Sequence, residues 1–329
     1  MSTAEAAVAR ESAWVHRLLL WGAIGAVPLI LVGGTITTVG AGMAVQGWWN
    51  AEGHFMPLFP LDKWFRDFGT FVEHTHRQIG MVVGLCVLAA AVVATLKGSG
   101  RQRLAATVAL LAVVGQGSLG GFRVLENSPQ LAFLHGVAAQ GVFAVLLGAT
   151  LASSPAWRAA PRSRVRLTGT QAVCWLLSLA VYGQITLGAW YRHALRNGGG
   201  LGLESRLWTH LGVGLGVLGL VILAARALKR AAASDGALAP LRRASLWLHA
   251  LVGLQVLLGF VAWLAYAPAP PGGQKEFPPL ELTSAALHVM GGALLLATAV
   301  RAALWCGRLA PAQGAGSVSV ENVSPAQLP

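Results

Sequence analysis

Charge is scarce in this sequence. Only 11% of its 329 residues are Asp, Glu, Lys or Arg, against roughly a quarter in an ordinary soluble domain, and that argues against a soluble fold. Acid is scarcer still, with 12 Asp and Glu against 24 Lys and Arg and a net charge of +12. The excess does not point to nucleic acid, because such binding needs a basic face on a soluble surface and here the cations lie between apolar runs. Cysteine is also rare. Cys86, Cys174 and Cys306 form no CxxC pair, and the first two sit inside apolar runs, where cysteine usually acts as a small buried apolar residue. The spacing argues against a disulfide framework or a zinc site.

Hydrophobic residues make up 55% of the chain, in several runs longer than the roughly 18 residues that cross a hydrocarbon core as a helix. Only helices or closed barrels satisfy the backbone there. The runs predict eight helices, near 18–43, 71–96, 104–124, 130–152, 168–191, 207–228, 244–266 and 284–305. The first run exceeds the roughly 7 to 15 residues of a signal-peptide core and no small-residue cleavage site follows it, so it is expected to remain as an anchor.

Basic residues gather in alternate connections: Arg10 and Arg17; Lys97, Arg101 and Arg103; Arg158, Arg162, Arg164 and Arg166; Arg226, Lys229, Arg230, Arg242 and Arg243. By the positive-inside rule both termini face the cytoplasm. The other connections mix signs, as in Asp62, Lys63, Arg66 and Asp67, or Lys275, Glu276 and Glu281. Trp48, Trp49, Trp64, Trp190 and Trp208 fall near these outer ends, where indole rings either favour the interface or pack in the bundle.

The two halves echo each other. Thr38–Ala41, "TVGA", resembles "TLGA" at Thr186–Ala189; Gln116–Gly120, "QGSLG", matches "QVLLG" at Gln255–Gly259; "TH" recurs at 75 and 209, and "LH" at 134 and 287. These predict an all-α membrane protein of two pseudo-twofold-related four-helix bundles, with an N-terminal half over 1–160 and a C-terminal half over 161–329. Four helices per copy make the repeat parallel, its axis along the membrane normal. "GLGVLG" at Gly214–Gly219 matches a dinucleotide fingerprint in letters alone; no strand precedes it, and close helix packing explains it better.

Four of nine histidines, His76, His135, His210 and His288, lie a few residues into even-numbered helices at matched repeat positions. A lone membrane histidine is usually a helix-to-helix hydrogen bond. Four at matched positions point instead to inward imidazole pairs, one pair per half. No cysteine or second carboxylate completes a tetrahedral or octahedral metal set, whereas haem needs only axial ligands and an apolar pocket. The repeat selects His76 over His74, which is left as a supporting group. His16, His249, His54 and His193 read as surface or packing residues. Glu73, His76 and Arg77 share one helical face, while the second-half counterparts are Leu207, His210 and Leu211. Glu73 and Arg77 are either an interfacial ion pair with a snorkelling arginine or reaction equipment present in one half only.

Taken together, "GGTITTVGAGMAV" ending the first helix, "EHTHRQIG" opening the second, "LHG" opening the fourth and the later "WTH" and "LH" resemble the haem A synthase family. The resemblance implies oxidation of the C8 methyl of haem O, through hydroxymethyl and hydrated-aldehyde stages, to the formyl group of haem A. It implies that His76 and His135, with Arg77, hold the substrate haem, that His210 and His288 hold a permanent haem b, and that Glu73 serves the reacting centre by stabilising positive charge or accepting a proton. It further implies a bacterial cytoplasmic membrane, lipid around the chain, and as partners a haem O synthase and assembly factors of a terminal oxidase. Some members carry a cysteine pair in the first outer loop; here "QGWWNAEGHFMPLFPLDKWFRDFG" has none, so a thiol relay at that place is excluded. Two other readings compete. A quinol-linked cytochrome b that only carries electrons explains the paired histidines but not the one-sided Glu73 and Arg77, and a repeat-interface transporter explains the duplication but not the histidines.

The topology has a direct test. Reporter fusions after Arg103, Arg166 and Arg243 are expected to read cytoplasmic, and fusions near Asp62, Asn197 and Lys275 external. A cytoplasmic signal at Lys275 breaks the eight-helix reading.

Overall fold

The computed structural model describes residues 12–196, 202–266, 277–311 and 318–319. Arg10, Asn197, Lys275 and Glu276, on which the topology reading draws, lie outside them. Eight of the described helices are long and apolar enough to cross a membrane: α1 Ala13–Val39, α2 Phe68–Lys97, α3 Gly100–Leu125, α4 Pro129–Ala152, α5 Thr168–Arg196, α6 Leu203–Ser234, α7 Ala239–Leu264 and α8 Pro279–Leu309. All eight expected spans are present, so the chain is a helical integral membrane protein. Their ends differ from the apolar runs because caps, not hydropathy, stop a helix. α1 ends early at Gly40, left-handed at φ 74°, with its N–H on the Ile36 carbonyl at 2.9 Å. α2 begins early because the Asp67 side chain accepts the Thr70 N–H at 2.8 Å. α3 opens on a Ser99–Gln102 capping box, and the same Gln102 exchanges two 3.0 Å hydrogen bonds with the Ser12 backbone. α6 runs on through Lys229 and Arg230, polar residues that hydropathy counts as connection.

Neighbouring helices pack in chain order and close on themselves twice, α4 against α1 and α8 against α5. α8 also lies against α1 and α4. It is the most enclosed span, with 67% of its apolar window buried against 39% for α1, the next. The described structure has two large apolar clusters, and α8 contributes to both. Met290, Ala293 and Ala297 of α8 pack with Val15, Leu19, Val87 and Ala90, and Leu295, Ala299 and Cys306 of the same helix pack with Cys174, Val221 and Leu248. Lipid is as apolar as leucine, so close contact between small residues, more than expulsion of water, holds such helices together. Cys86, Cys174 and Cys306 are unpaired.

The segment between α1 and α2 folds over one end of the bundle, called here the capped end. Asn50–Ala51 pairs antiparallel with His54–Phe55 around Glu52 and Gly53, whose positive φ angles of 49° and 84° suit the turn of a two-residue hairpin. Arg66 holds Glu52 in that conformation with two 2.7 Å bonds, one to each carboxylate oxygen. Val45, Ala51, Met56 and Phe59 form a small core with Trp64. Trp64 donates to the Thr75 hydroxyl at 3.1 Å, and Trp48 stacks on Trp49; Trp49, Trp190 and Trp208 are exposed. The tryptophans of these ends thus divide between packing and surface roles.

The Arg66 hydrogen bonds hold the Glu52 carboxyl below its ordinary 4.5, and the Thr70 backbone N–H holds Asp67 below its ordinary 3.8. Groups lowered on folding add stability above their unfolded values, and lose it as pH falls through the folded ones. Amide-exchange protection over residues 44–56 is therefore expected to weaken on acidification below 4.5. Because the pair is partly exposed the effect is small, and Arg66→Ala is expected to flatten it. An unchanged acid profile in Arg66→Ala removes the Glu52 bond as its cause.

Candidate functional site

The four histidines singled out by the repeat come together as two pairs. His76 on α2 faces His135 on α4 with ring centres 6.4 Å apart and planes at 71°. His210 on α6 faces His288 on α8 at the same 6.4 Å and 80°. Two imidazoles bonded through nitrogen to opposite sides of one metal atom, at about 2 Å each, set their ring centres roughly 6 Å apart. Among the described residues no group of three or more His, Cys, Asp or Glu gathers as a metal site. Two opposed nitrogen donors without a third protein ligand suit a metal that brings its own equatorial ligands, as haem does.

Each ring is seated on a glycine of the preceding long helix. A Cβ on Gly33, Gly120, Gly188 or Gly259 would lie 3.0, 2.8, 2.9 or 2.9 Å from Cε1 of His76, His135, His210 or His288 respectively. Four residues before each glycine stands Leu29, Gln116, Gln184 or Gln255. The three glutamines donate to the backbone carbonyls of His135, His210 and His288 at 2.9, 2.8 and 3.1 Å. At Leu29 the main chain acts instead. His76 Nδ1 lies 3.1 Å from the Leu29 carbonyl, which can only accept, so Nδ1 carries the hydrogen and Nε2 is left as the donor to a metal. The Nδ1 atoms of His210 and His288 are buried without a hydrogen-bond partner.

This seat was only partly legible. "QGSLG" and "QVLLG" stand out as an echo, but "TVGA" and "TLGA" align Gly40 with Gly188, whereas the glycine that seats a ring in α1 is Gly33. The matching segments are "LILVG" and "QITLG". Gly40 closes α1 instead.

Around the first pair lies a charged cluster. Glu73 is buried at 2% exposure, with one carboxylate oxygen accepting from Arg77 at 2.7 Å and the other from the Val45 N–H at 2.9 Å. Arg77 also donates to the Gly47 and Val45 carbonyls, both at 2.7 Å. Its guanidinium therefore fastens the 45–47 segment instead of snorkelling to water. Arg123, at the end of α3, donates to the Gly42 carbonyl at 2.8 Å and lies within electrostatic range of His76 and His135. Nothing in the sequence marks it, a lone arginine at the end of an apolar run. On the other side, Arg192 of α5 crosses to α1 and donates to the Gly34 carbonyl and the Thr38 hydroxyl, within range of His288.

A family model described as COX15-CtaA, cytochrome oxidase assembly protein, matches residues 16–196, more than half of the chain. The chain belongs to this family, that of the haem A synthases. The family supports a role in cytochrome oxidase assembly and haem maturation. Its matched span contains Glu73, His76, Arg77 and His135, together with the Gly33, Gly120 and Gly188 seats; His210 and His288 lie beyond it. No curated protein matches the chain.

The other histidines of this haem A synthase family member are engaged elsewhere. His74 is wedged between Phe59 and Trp64, with ring centres 4.6 and 4.7 Å away, and its Nε2 accepts from the Gln78 amide at 2.8 Å. It supports the capped end. His54 meets Lys63 at 3.0 Å, His16 the Thr150 carbonyl at 3.0 Å, His249 the Ser245 carbonyl at 2.9 Å, and His193 packs edge-on to Phe133.

The seats predict opposite signs for one substitution at two places on α5. Gly188→Ala drives a methyl into His210 and is expected to cost about 1–3 kcal/mol, as overpacking does. Gly183→Ala meets nothing within 4 Å and is expected to stabilise by about 0.5–1 kcal/mol through helix propensity. Denaturant unfolding in detergent measures both, and equal effects would remove the seat.

Proposed function

We propose that the chain oxidises the C8 methyl of haem O to the formyl group of haem A, with the substrate haem between His76 and His135 and a permanent haem b between His210 and His288. The observation that carries this reading is the pair of equally spaced imidazole couples, of which the first has a buried carboxylate, Glu73, three residues before its His76, where the second has Leu207 before His210. Two features support a haem at each couple. The donors are two opposed imidazoles with no third protein ligand among the described residues, and each couple has a cation near it, Arg123 with Arg77 for the first and Arg192 for the second, suited to the propionates of a haem.

In this reading each hydroxylation takes the oxygen of one water and releases two protons and two electrons, the electrons passing one at a time to an acceptor outside the chain. The methyl becomes hydroxymethyl, the hydroxymethyl becomes a hydrated aldehyde, and loss of water leaves the formyl group. Haem b, when bound, supplies a one-electron relay. The chain does the rest. His76 and His135 fix the substrate by its iron, the Leu29 carbonyl holds His76 in its donor tautomer, and Glu73 acts where positive charge develops. Both Glu73 oxygens are engaged by Arg77 and the Val45 N–H, so taking a proton would cost one of those bonds. That favours a fixed negative charge over a general base, and a preorganised charge acts strongly where water is excluded. The reading places the protein in a bacterial cytoplasmic membrane with both termini cytoplasmic, receiving haem O from the synthase that makes it and yielding haem A to terminal oxidase assembly.

Glu73→Gln keeps size and polarity but removes the charge. Haems extracted from cells are expected to show haem A down at least about tenfold, on the scale of a lost electrostatic contact, with haem O and hydroxymethyl intermediate accumulating while haem b stays bound. Near-normal haem A would exclude the charge as the agent. Two haem b per purified chain, without haem O or haem A, would instead favour the electron-carrying cytochrome.

A further inference from the structure

At the end of the bundle opposite the capped end, α1, α4 and α8 meet along a groove of about 250 Å³. Leu147 and Leu151 of α4 and Leu294 of α8 give it apolar walls, and His16, Thr150 and Arg301 stand among its lining. His16 is already spent on the Thr150 carbonyl at 3.0 Å, and the Thr150 hydroxyl on the Leu146 carbonyl at 2.8 Å. Arg301 is different. It is half-buried, and among the described residues no carboxylate pairs with it; the charged group it senses is Arg243, another cation.

A partly buried guanidinium beside an apolar wall is costly without an anion, and among the described residues this end of the molecule is poor in them. Lys97, Arg101, Arg103, Arg158, Arg162, Arg164 and Arg166 lie in or beside the connections at this end, while Asp235 accepts from the Ser163 hydroxyl and the Ala237 N–H. An amphiphile meets both demands at once, since its head neutralises the arginine and its tail covers the leucines. A net-negative head also fits the surrounding field better than a zwitterionic one. We propose that this groove binds one anionic phospholipid, with its phosphodiester on the Arg301 guanidinium and an acyl chain along Leu147, Leu151 and Leu294. Bound there, the lipid joins α8 to α1 and α4, across the contact between the two halves of the chain.

Native mass spectrometry of the full-length holoprotein in detergent, titrated with phosphatidylglycerol or phosphatidylcholine, tests this. The unaltered protein is expected to retain one phosphatidylglycerol in preference to phosphatidylcholine. Arg301→Gln is expected to lower that retention at least about tenfold, the scale of a charge-assisted hydrogen bond, and to erase the preference. Arg301→Lys, which keeps the charge, is expected to preserve the preference, and Thr298→Trp, which fills the groove from a half-buried lining position but leaves the cation, to lower retention of both lipids. Arg206→Gln, at the capped end where Arg206 stacks on Trp190, is expected to change nothing. Equal retention by Arg301→Gln, absence of a headgroup preference, or displacement of phosphatidylglycerol by millimolar inorganic phosphate would each overturn the proposal, the last by assigning the arginine to a free anion.

Discussion

The contact between a glycine and an imidazole, made four times between neighbouring helices, is the constraint on which the rest of the site depends. A ring in the interior of a membrane bundle has no water to orient it, so its position is set by what it touches. Glycine removes the side chain that would otherwise fill the gap, the helices close on the ring, and a glutamine one turn earlier ties the histidine's own backbone in three of the four cases. The outcome is two imidazole couples with the same 6.4 Å separation, although different helices and different residues build them.

On this near-symmetric frame sits an asymmetric charge. Glu73, Arg77 and Arg123 occupy the first half, while Leu207 and Leu211 stand where Glu73 and Arg77 would have counterparts. Ionised groups at such a depth are tolerated only when paired, and here the pairing does structural work as well. The carboxylate and both guanidinium groups grip the backbone between Gly42 and Gly47, so the cover over the first couple and the charge beside it are one assembly. His74 belongs to the same assembly, packed under Phe59 and Trp64. A substitution at Glu73 therefore perturbs both the charge and a Val45 backbone bond, which is why an isosteric amide separates the two effects better than alanine.

The halves are joined through α8 as well as through the connection between α4 and α5. Gly34 of α1 approaches the α8 backbone so closely that a Cβ would lie 3.2 Å from the Ala286 Cα, and Arg192 laces the neighbouring turn of α1 to α5. Gly33 and His288 lie within two residues of that crossing in sequence. The groove with Arg301 lies at the other end of the same three-helix junction of α1, α4 and α8.

Sequence by itself determined the number of spans, the four ring-bearing positions and the grouping of Glu73 and Arg77 with His76 on one helical face. Each rests on a pattern local enough to read along the chain: run length against membrane thickness, a residue type at matched repeat positions, an i, i+3, i+4 face. Helix ends escaped it because Gly40 stops a helix by its left-handed backbone and Asp67 and Ser99 start helices by side-chain caps, none of which hydropathy records. The cover formed by residues 40–67 escaped it because its order comes from contacts with Arg66, Arg77 and Arg123, up to 81 residues distant in the chain. Tertiary structure alone decided that Gly33, and not Gly40, is the counterpart of Gly188, and that Arg77 turns inward to the chain instead of outward to water. Both depend on which helix lies opposite, and a close approach between two backbones leaves no mark on either sequence except the absence of a side chain.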